Sequence, residues 1–190
     1  MKFACVLIAA GATLIASPEQ GDFDNYEELP FKPVDDHETT YFRYALLAGE
    51  GLHDVSIRGP GAIDGNRGKR GGPKPIALKR SERVSVREVT IRNSPNYAIS
   101  LLGCDDVDID GVRILNSYCD GIDPDCSRFV RISNCYVDSW DYAIVLKTSQ
   151  ALGEPRRFQE HRRGELRDAE ARDGTRAHPS SCGWATAGAA

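Results

Sequence analysis

The chain has no run of the roughly 18 apolar residues that a membrane-spanning helix needs, so no membrane partner is expected. It has no basic excess either. Its 24 Lys and Arg stand against 28 Asp and Glu, a formal net charge of −4, and this argues against a nucleic-acid partner. One local run, GNRGKRGG from Gly65 to Gly72, is basic. It contains no aromatic side chain on which a base could stack, and it reads as a solvated loop. None of the six cysteines (Cys5, Cys104, Cys119, Cys126, Cys135, Cys182) forms a CxxC pair, and His37, His53, His161 and His178 are scattered. No zinc site is therefore expected. Phosphate and dinucleotide loops are also absent: Lys69 is followed by Arg70 rather than Ser or Thr, and the GxG at Gly59–Gly61 leads into Asp64-Gly65 rather than a helix. No metal and no cofactor are expected.

What is present suits one folded domain: 190 residues, 41% hydrophobic and 27% charged. Four cysteines lie between 104 and 135. They fit one or two disulfides if the protein is exported, and equally small buried apolar residues. The N-terminal MKFACVLIAAGATLIASPEQ has a single Lys before an apolar run. It reads either as a secretory leader or as a buried strand and its turn.

An internal repeat organises the middle of the chain. RVSVREVTIRNSPNYAISLLG from Arg83, DVDIDGVRILNSYCDGIDPDC from Asp106 and FVRISNCYVDSWDYAIVLKTS from Phe129 align. Val84, Val107 and Val130 are 23 residues apart, as are Val86, Ile109 and Ile132; Ile99 to Ile122 is 23 and Ile122 to Ile144 is 22. Within each repeat the apolar residues alternate, the period of half-buried strands. Short strands separated by Asn, Asp, Gly and Ser at this spacing predict an all-β, right-handed parallel β-helix, one repeat per coil, with coils stacked ~4.8 Å apart. A sandwich of hairpins is the alternative, but it leaves the 23-residue register unexplained. An earlier coil is traced through Val55, Ile57 and Ile63, and residues 17–43, acidic and aperiodic, read as an excursion from one coil.

The pattern is lost after about Gln150. Residues 151–190 contain seven Arg but no Val or Ile. The expected organisation is a partial β-helix domain over 1–150 and an irregular tail over 151–190. The tail reads as sequence foreign to the fold, such as a reading-frame slip in the gene would produce. A helical cap on the coil stack is the alternative.

The segment NSYCDGIDPDC holds Asp120, Asp123 and Asp125. Asp120 lies two residues before Ile122, Asp141 three before Ile144 and Tyr142 two before it. Asp120 and Asp141 should therefore project from one face on neighbouring coils. Two carboxylates across a groove can cleave a glycosidic bond, one donating a proton and the other activating water; inverting enzymes hold them roughly 6.5–9.5 Å apart. Mutual repulsion would raise the proton affinity of one of them. Stacked acids can also simply satisfy turn amides or bind a cation.

The same segments resemble a known family. NSYCDGIDPDCS is similar to the NTDGIDPDxS segment of glycoside hydrolase family 28, the polygalacturonase family, and SWDYAIVLKTS to its SGDDAIxLKS. GPGAIDGNR resembles its GxGxIDGxG coil, and AGATLIASPE its early GAxLxGS strand, which favours the strand reading of the N-terminus. The resemblance runs from about Ala9 to Ser149. It implies a β-helix, inverting hydrolysis, a pectin-type polysaccharide as the partner, and an extracellular or periplasmic setting, although no convincing signal peptide is present. It makes Asp120 and Asp141 the catalytic residues, with Asp141 as proton donor, and Asp123, Tyr142 and Lys147 substrate-binding positions. A monomer is expected.

Two departures bear on activity. Tyr142 stands where the family has the second acid of its pair, and the later GHG and RIK segments are missing. Loss of a general base costs ~10²–10⁴-fold in rate, so weak or no activity is expected. A polysaccharide-binding β-helix without catalysis is the rival reading. A Ca²⁺-dependent pectate lyase-like elimination is a further one, for which the acid repeats offer no clear candidate for the Arg base.

Overall fold

The computed structural model describes residues 4–30, 42–66, 68–149 and 151–152. The chain winds as a solenoid with three strands to a coil. The first coil runs through β1 (Ala4–Leu7), β2 (Thr13–Ile15) and β3 (Ala45–Glu50). The second has β4 (His53–Arg58), β5 (Ala62–Asp64) and β6 (Lys74–Lys79), and the third β7 (Glu82–Arg87), β8 (Thr90–Arg92) and β9 (Ile99–Leu102). The fourth has β10 (Asp105–Asp110), β11 (Arg113–Ser117) and β12 (Ile122–Asp125), and the fifth β13 (Arg128–Ser133) and β14 (Tyr136–Ser139). Isolated bridges from Ile144 to Ile122 and from Lys147 to Asp125 continue the third side.

Each strand pairs in parallel with its equivalent one coil away, giving sheets β1-β4-β7-β10-β13, β2-β5-β8-β11-β14 and β3-β6-β9-β12. A sandwich of antiparallel hairpins is excluded by these pairings. The architecture is the right-handed parallel β-helix, the hand that parallel crossovers adopt almost without exception.

The sequence repeat becomes columns of like residues. Val55, Val84, Val107 and Val130 share one row, and Leu14, Ile63, Ile91, Ile114 and Val137 another. Leu47, Ile76, Ile99, Ile122 and Ile144 form a third. Most of these side chains point inward into one core. Burying each is worth about 1.5–3 kcal/mol, and the β-branched shape packs well on a pleated surface. Ala4–Leu7 and Thr13–Ile15 pair with the second coil, so these N-terminal residues are built into the solenoid.

The corners of the coils recur as well. Gly51, Arg80, Gly103 and Cys126 all have positive φ, between 49° and 64°, at the end of the third side. Where this corner is not glycine, each non-glycine residue costs roughly 1–2 kcal/mol of backbone strain, which the columns on either side must overcome. Of the five described cysteines, Cys104, Cys119, Cys126 and Cys135 are buried and Cys5 is exposed.

Third-side strands differ from the others. Where β4 and β7 alternate, every residue of β6, β9 and β12 is buried. Their outward side chains meet a second apolar cluster of Phe42, Ala77, Leu102, Cys126, Ala151 and Leu152. The excursion after β2 thus returns through Phe42 and Tyr44 to cover this face, with Phe23 and Tyr26 edge-on to Tyr44. Residues 31–41 and the tail from 153 onward lie outside the described residues.

Candidate active site

The third side turns inward at Ile122 and Pro124 and outward at Asp123 and Asp125. Asp123 falls in the row of Ala77 and Ser100. Asp120 precedes the strand by one glycine. That glycine is required by close approach: a Cβ on Gly121 would lie 2.3 Å from Val137 Cγ1 and 2.6 Å from the Ala143 carbonyl oxygen.

Lys147 joins these acids. Its ammonium donates to Asp123 Oδ2 at 2.9 Å, to Asp120 Oδ2 at 3.3 Å and to the Tyr97 hydroxyl at 3.3 Å. It also stands 4.4 Å from the centre of the Tyr97 ring. Asp120 Oδ1 accepts the Tyr142 backbone N–H at 3.1 Å. Next to this group the buried Lys74 donates to Ser100 Oγ at 3.2 Å and lies over the rings of Phe42 and Tyr97. Two residues beyond Asp123 along the same strand, Asp125 accepts both the backbone N–H and the hydroxyl of Ser149.

Burial sets the charges here. Asp123 is 1% exposed, and desolvation pushes its carboxyl up to about 7 against the pull of Lys147, with Asp125 and Asp120 adding to the rise. Its second oxygen, Oδ1, is buried with no hydrogen-bond partner among the described residues. A carboxylate oxygen in that position favours a proton. Asp120 is also raised above the usual carboxylate range. Burial is again the main cause, the Lys147 ammonium and the Tyr142 N–H oppose it, and the field of Asp141 adds to it. Lys147 loses solvation, yet Asp123, Tyr97 and Asp120 together hold its ammonium above the ordinary lysine range. Burial raises the Tyr97 phenol.

The two acids expected as a pair lie on consecutive coils, within reach of each other's charge, in unlike settings. Asp120 is buried, whereas Asp141 is open to solvent and paired with Arg70 at 3.3 Å. Because Ile122 aligns with Ile144, the residue level with Asp120 is Tyr142, and Asp141 sits one position earlier. Tyr142 is 56% exposed, and Trp140 beside it is 71% exposed. Trp140 packs against Tyr118 with ring centres 5.0 Å apart and donates its indole N–H to Asn116.

Asp123 and Lys147, expected on the site from the sequence, are brought together with Asp120. Sequence reasoning gave no role to Tyr97, Lys74 or Arg70. For Tyr97 a signal existed, since it lies 23 residues before Asp120 and so on the same column. Lys74 falls outside the aligned repeats, and Arg70 sits in the run read as a solvated loop. Among the described residues no group of three or more His, Cys, Asp or Glu is arranged to hold a metal ion.

Comparison with known proteins adds to this geometry. The family model for glycosyl hydrolases family 28 matches residues 32–152. A protein named "Probable polygalacturonase" from Vitis vinifera is 32% identical over 120 residues, covering 55% of this chain and 24% of its own length. Proteins named "Polygalacturonase" from Juniperus ashei and Chamaecyparis obtusa are 27% and 28% identical, each covering 53% of this chain and 24% of their own length. The chain thus spans about a quarter of the length of these curated relatives. A solved structure from Parabacteroides merdae, described as a glycosyl hydrolase, superposes with a TM-score of 0.55 at 19% identity, over 76% of this chain and 70% of the other. At that identity the likeness speaks for the fold alone.

Proposed function

The chain belongs to family 28 of the glycosyl hydrolases, and from that membership we propose that it is a polygalacturonase-like enzyme hydrolysing glycosidic bonds of a pectin-type polysaccharide with inversion. The observation that carries this reading is the pair of carboxylates on successive coils in contrasting environments: Asp120 buried and held by Lys147, Asp141 at the surface. Opposed environments are what allow two acids to take different roles.

In the proposed mechanism the roles follow the family resemblance: Asp141 gives its proton to the leaving oxygen, its ion pair with Arg70 opening as the substrate enters, and Asp120 activates the water. A proton affinity above the usual carboxylate range makes Asp120 a stronger base once deprotonated. The Tyr142 N–H and Lys147 fix its orientation. Tyr142 meets the sugar, while Asp123, expected to bind substrate but buried out of its reach, pairs with Lys147 and sets the charge around Asp120. With Tyr142 in place of a second water-orienting acid, turnover is slow. Reducing-sugar release from polygalacturonate, compared between the wild-type chain and Asp120→Asn, tests the assignment. Loss of a slow wild-type rate in the variant supports it, and turnover that Asp120→Asn leaves intact refutes it.

One observation favours a second reading, a β-helix that binds polysaccharide without cutting it. Both oxygens of Asp120 are already engaged, by Tyr142 and Lys147, which leaves less of the carboxylate to order a water. Sugar binding with no hydrolysis would select this reading.

A further inference from the structure

Both chain neighbours of Asp141 are large aromatic residues open to solvent, Trp140 at 71% and Tyr142 at 56% exposure. In the proposed mechanism Tyr142 meets the sugar, and Trp140 has no part. Its indole is nevertheless held in place. The Trp140 backbone N–H donates to the Ser117 carbonyl at 2.8 Å, which sets Trp140 level with Tyr118 one coil earlier. The two rings pack with centres 5.0 Å apart. The indole N–H donates to Asn116 Oδ1 at 3.2 Å, and the Asn116 side-chain amide donates in turn to Asn93 Oδ1 at 3.0 Å. The row continues backward, because the Tyr118 N–H donates to the Ser94 carbonyl at 2.9 Å. Pro95, Tyr118 and Trp140 thus follow one another along the solenoid at the corner that leads into Asp120 and Asp141.

Folding does not account for the size of this side chain. Hydrophobic stabilisation scales with the area taken out of water, and most of Trp140 stays in it. Its one polar group is taken by Asn116, so the surface it presents is apolar ring. Aromatic faces are negative and C–H edges positive. A pyranose ring has its hydroxyls around the rim and C–H bonds on its faces, which complements such a surface. An indole already fixed by two contacts also loses little freedom on binding. Where the similar family segment SGDDAIxLKS has glycine, this chain has Trp140.

We propose that Trp140 is a substrate-binding residue whose indole stacks on a sugar ring of the polysaccharide beside the bond presented to Asp141. The inference rests on the proposed function, which it deepens by naming a group that recognises the apolar face of the sugar rather than its charge.

The test uses an oligogalacturonate and the full chain. Trp184 is the only other tryptophan, so in Trp184→Phe the fluorescence reports on Trp140 alone. The expected result is that saturating oligomer shields this indole from quenching by acrylamide. By calorimetry, Trp140→Ala should bind the oligomer about tenfold more weakly, and Trp140→Phe should recover part of the loss. Circular dichroism checks that each variant folds. An oligomer that binds yet leaves the quenching unchanged overturns the inference alone, even where Trp140→Ala binds more weakly, because a purely structural role predicts that pattern. Equal affinity of wild type and Trp140→Ala also overturns it alone. A wild-type chain that binds no oligogalacturonate overturns this inference and the proposed function together.

Discussion

Replacing Lys147 with Met tests the charge balance of the buried site. In the wild-type protein its ammonium serves two carboxylates, Asp123 at 2.9 Å and Asp120 at 3.3 Å, with side chains 1% and 6% exposed. Met keeps most of the stem volume and removes the charge, so the cost is mainly electrostatic. Taking one partner from a buried pair costs about 3–5 kcal/mol when the other stays charged. If the acid can take a proton, only a hydrogen bond is lost, about 0.5–1.5 kcal/mol.

The pH dependence follows from the direction of the shifts. Asp120 and Asp123 have folded-state values above their unfolded ones, Asp123 reaching about 7. Their burial therefore destabilises the fold increasingly as pH rises from the unfolded carboxylate range, near 4, through about 7. Lys147 limits this cost. Its own raised value supplies stability that is lost only at alkaline pH, outside this window. Without it, both acids hold their protons to still higher pH, and the difference between variant and wild type widens. Urea unfolding followed by fluorescence should show Lys147→Met less stable by about 1 kcal/mol at pH 5 and by about 3 kcal/mol or more at pH 8. Adding Asp123→Asn to the variant should recover part of the loss at pH 8. A penalty equal at the two pH values, or larger at pH 5, would refute the reasoning.

Two other outcomes follow from the same geometry. Gly121→Ala should destabilise the chain by about 1–3 kcal/mol, because its Cβ must push aside Val137 and the Ala143 carbonyl; thermal unfolding measures this, and an unchanged melting temperature would show that the fifth coil yields without cost. If Asp120 is the base, sugar release should fall as pH drops through a value above the ordinary carboxylate range; a profile that stays flat down to pH 4 contradicts that role.

The stacking of this chain is legible in its residues because a parallel solenoid asks for the same kind of side chain at the same point of every turn. Val84, Val107 and Val130 announce one column, and Ile99, Ile122 and Ile144 another, before any coordinates. The shortened last repeat, 22 residues instead of 23, is equally visible. It also indicates, through Ile144, that Tyr142 stands level with Asp120. Register along a coil is a local and periodic property, and counting recovers it.

Burial is neither local nor periodic. Asp120 and Asp141 look alike in sequence, but one lies under Lys147 and Tyr142 while the other faces water beside Arg70. That difference depends on Lys147 and the Tyr142 backbone reaching back to the acids of the previous coil, and on Arg70 meeting Asp141 at the surface. The Arg70–Asp141 contact joins segments 71 residues apart, which no repeat relates. The amino-acid sequence alone settled the winding of this protein and the column on which its acids stand. Only the tertiary structure decided which acid is stripped of solvent, because desolvation is imposed by whatever the rest of the chain lays on top.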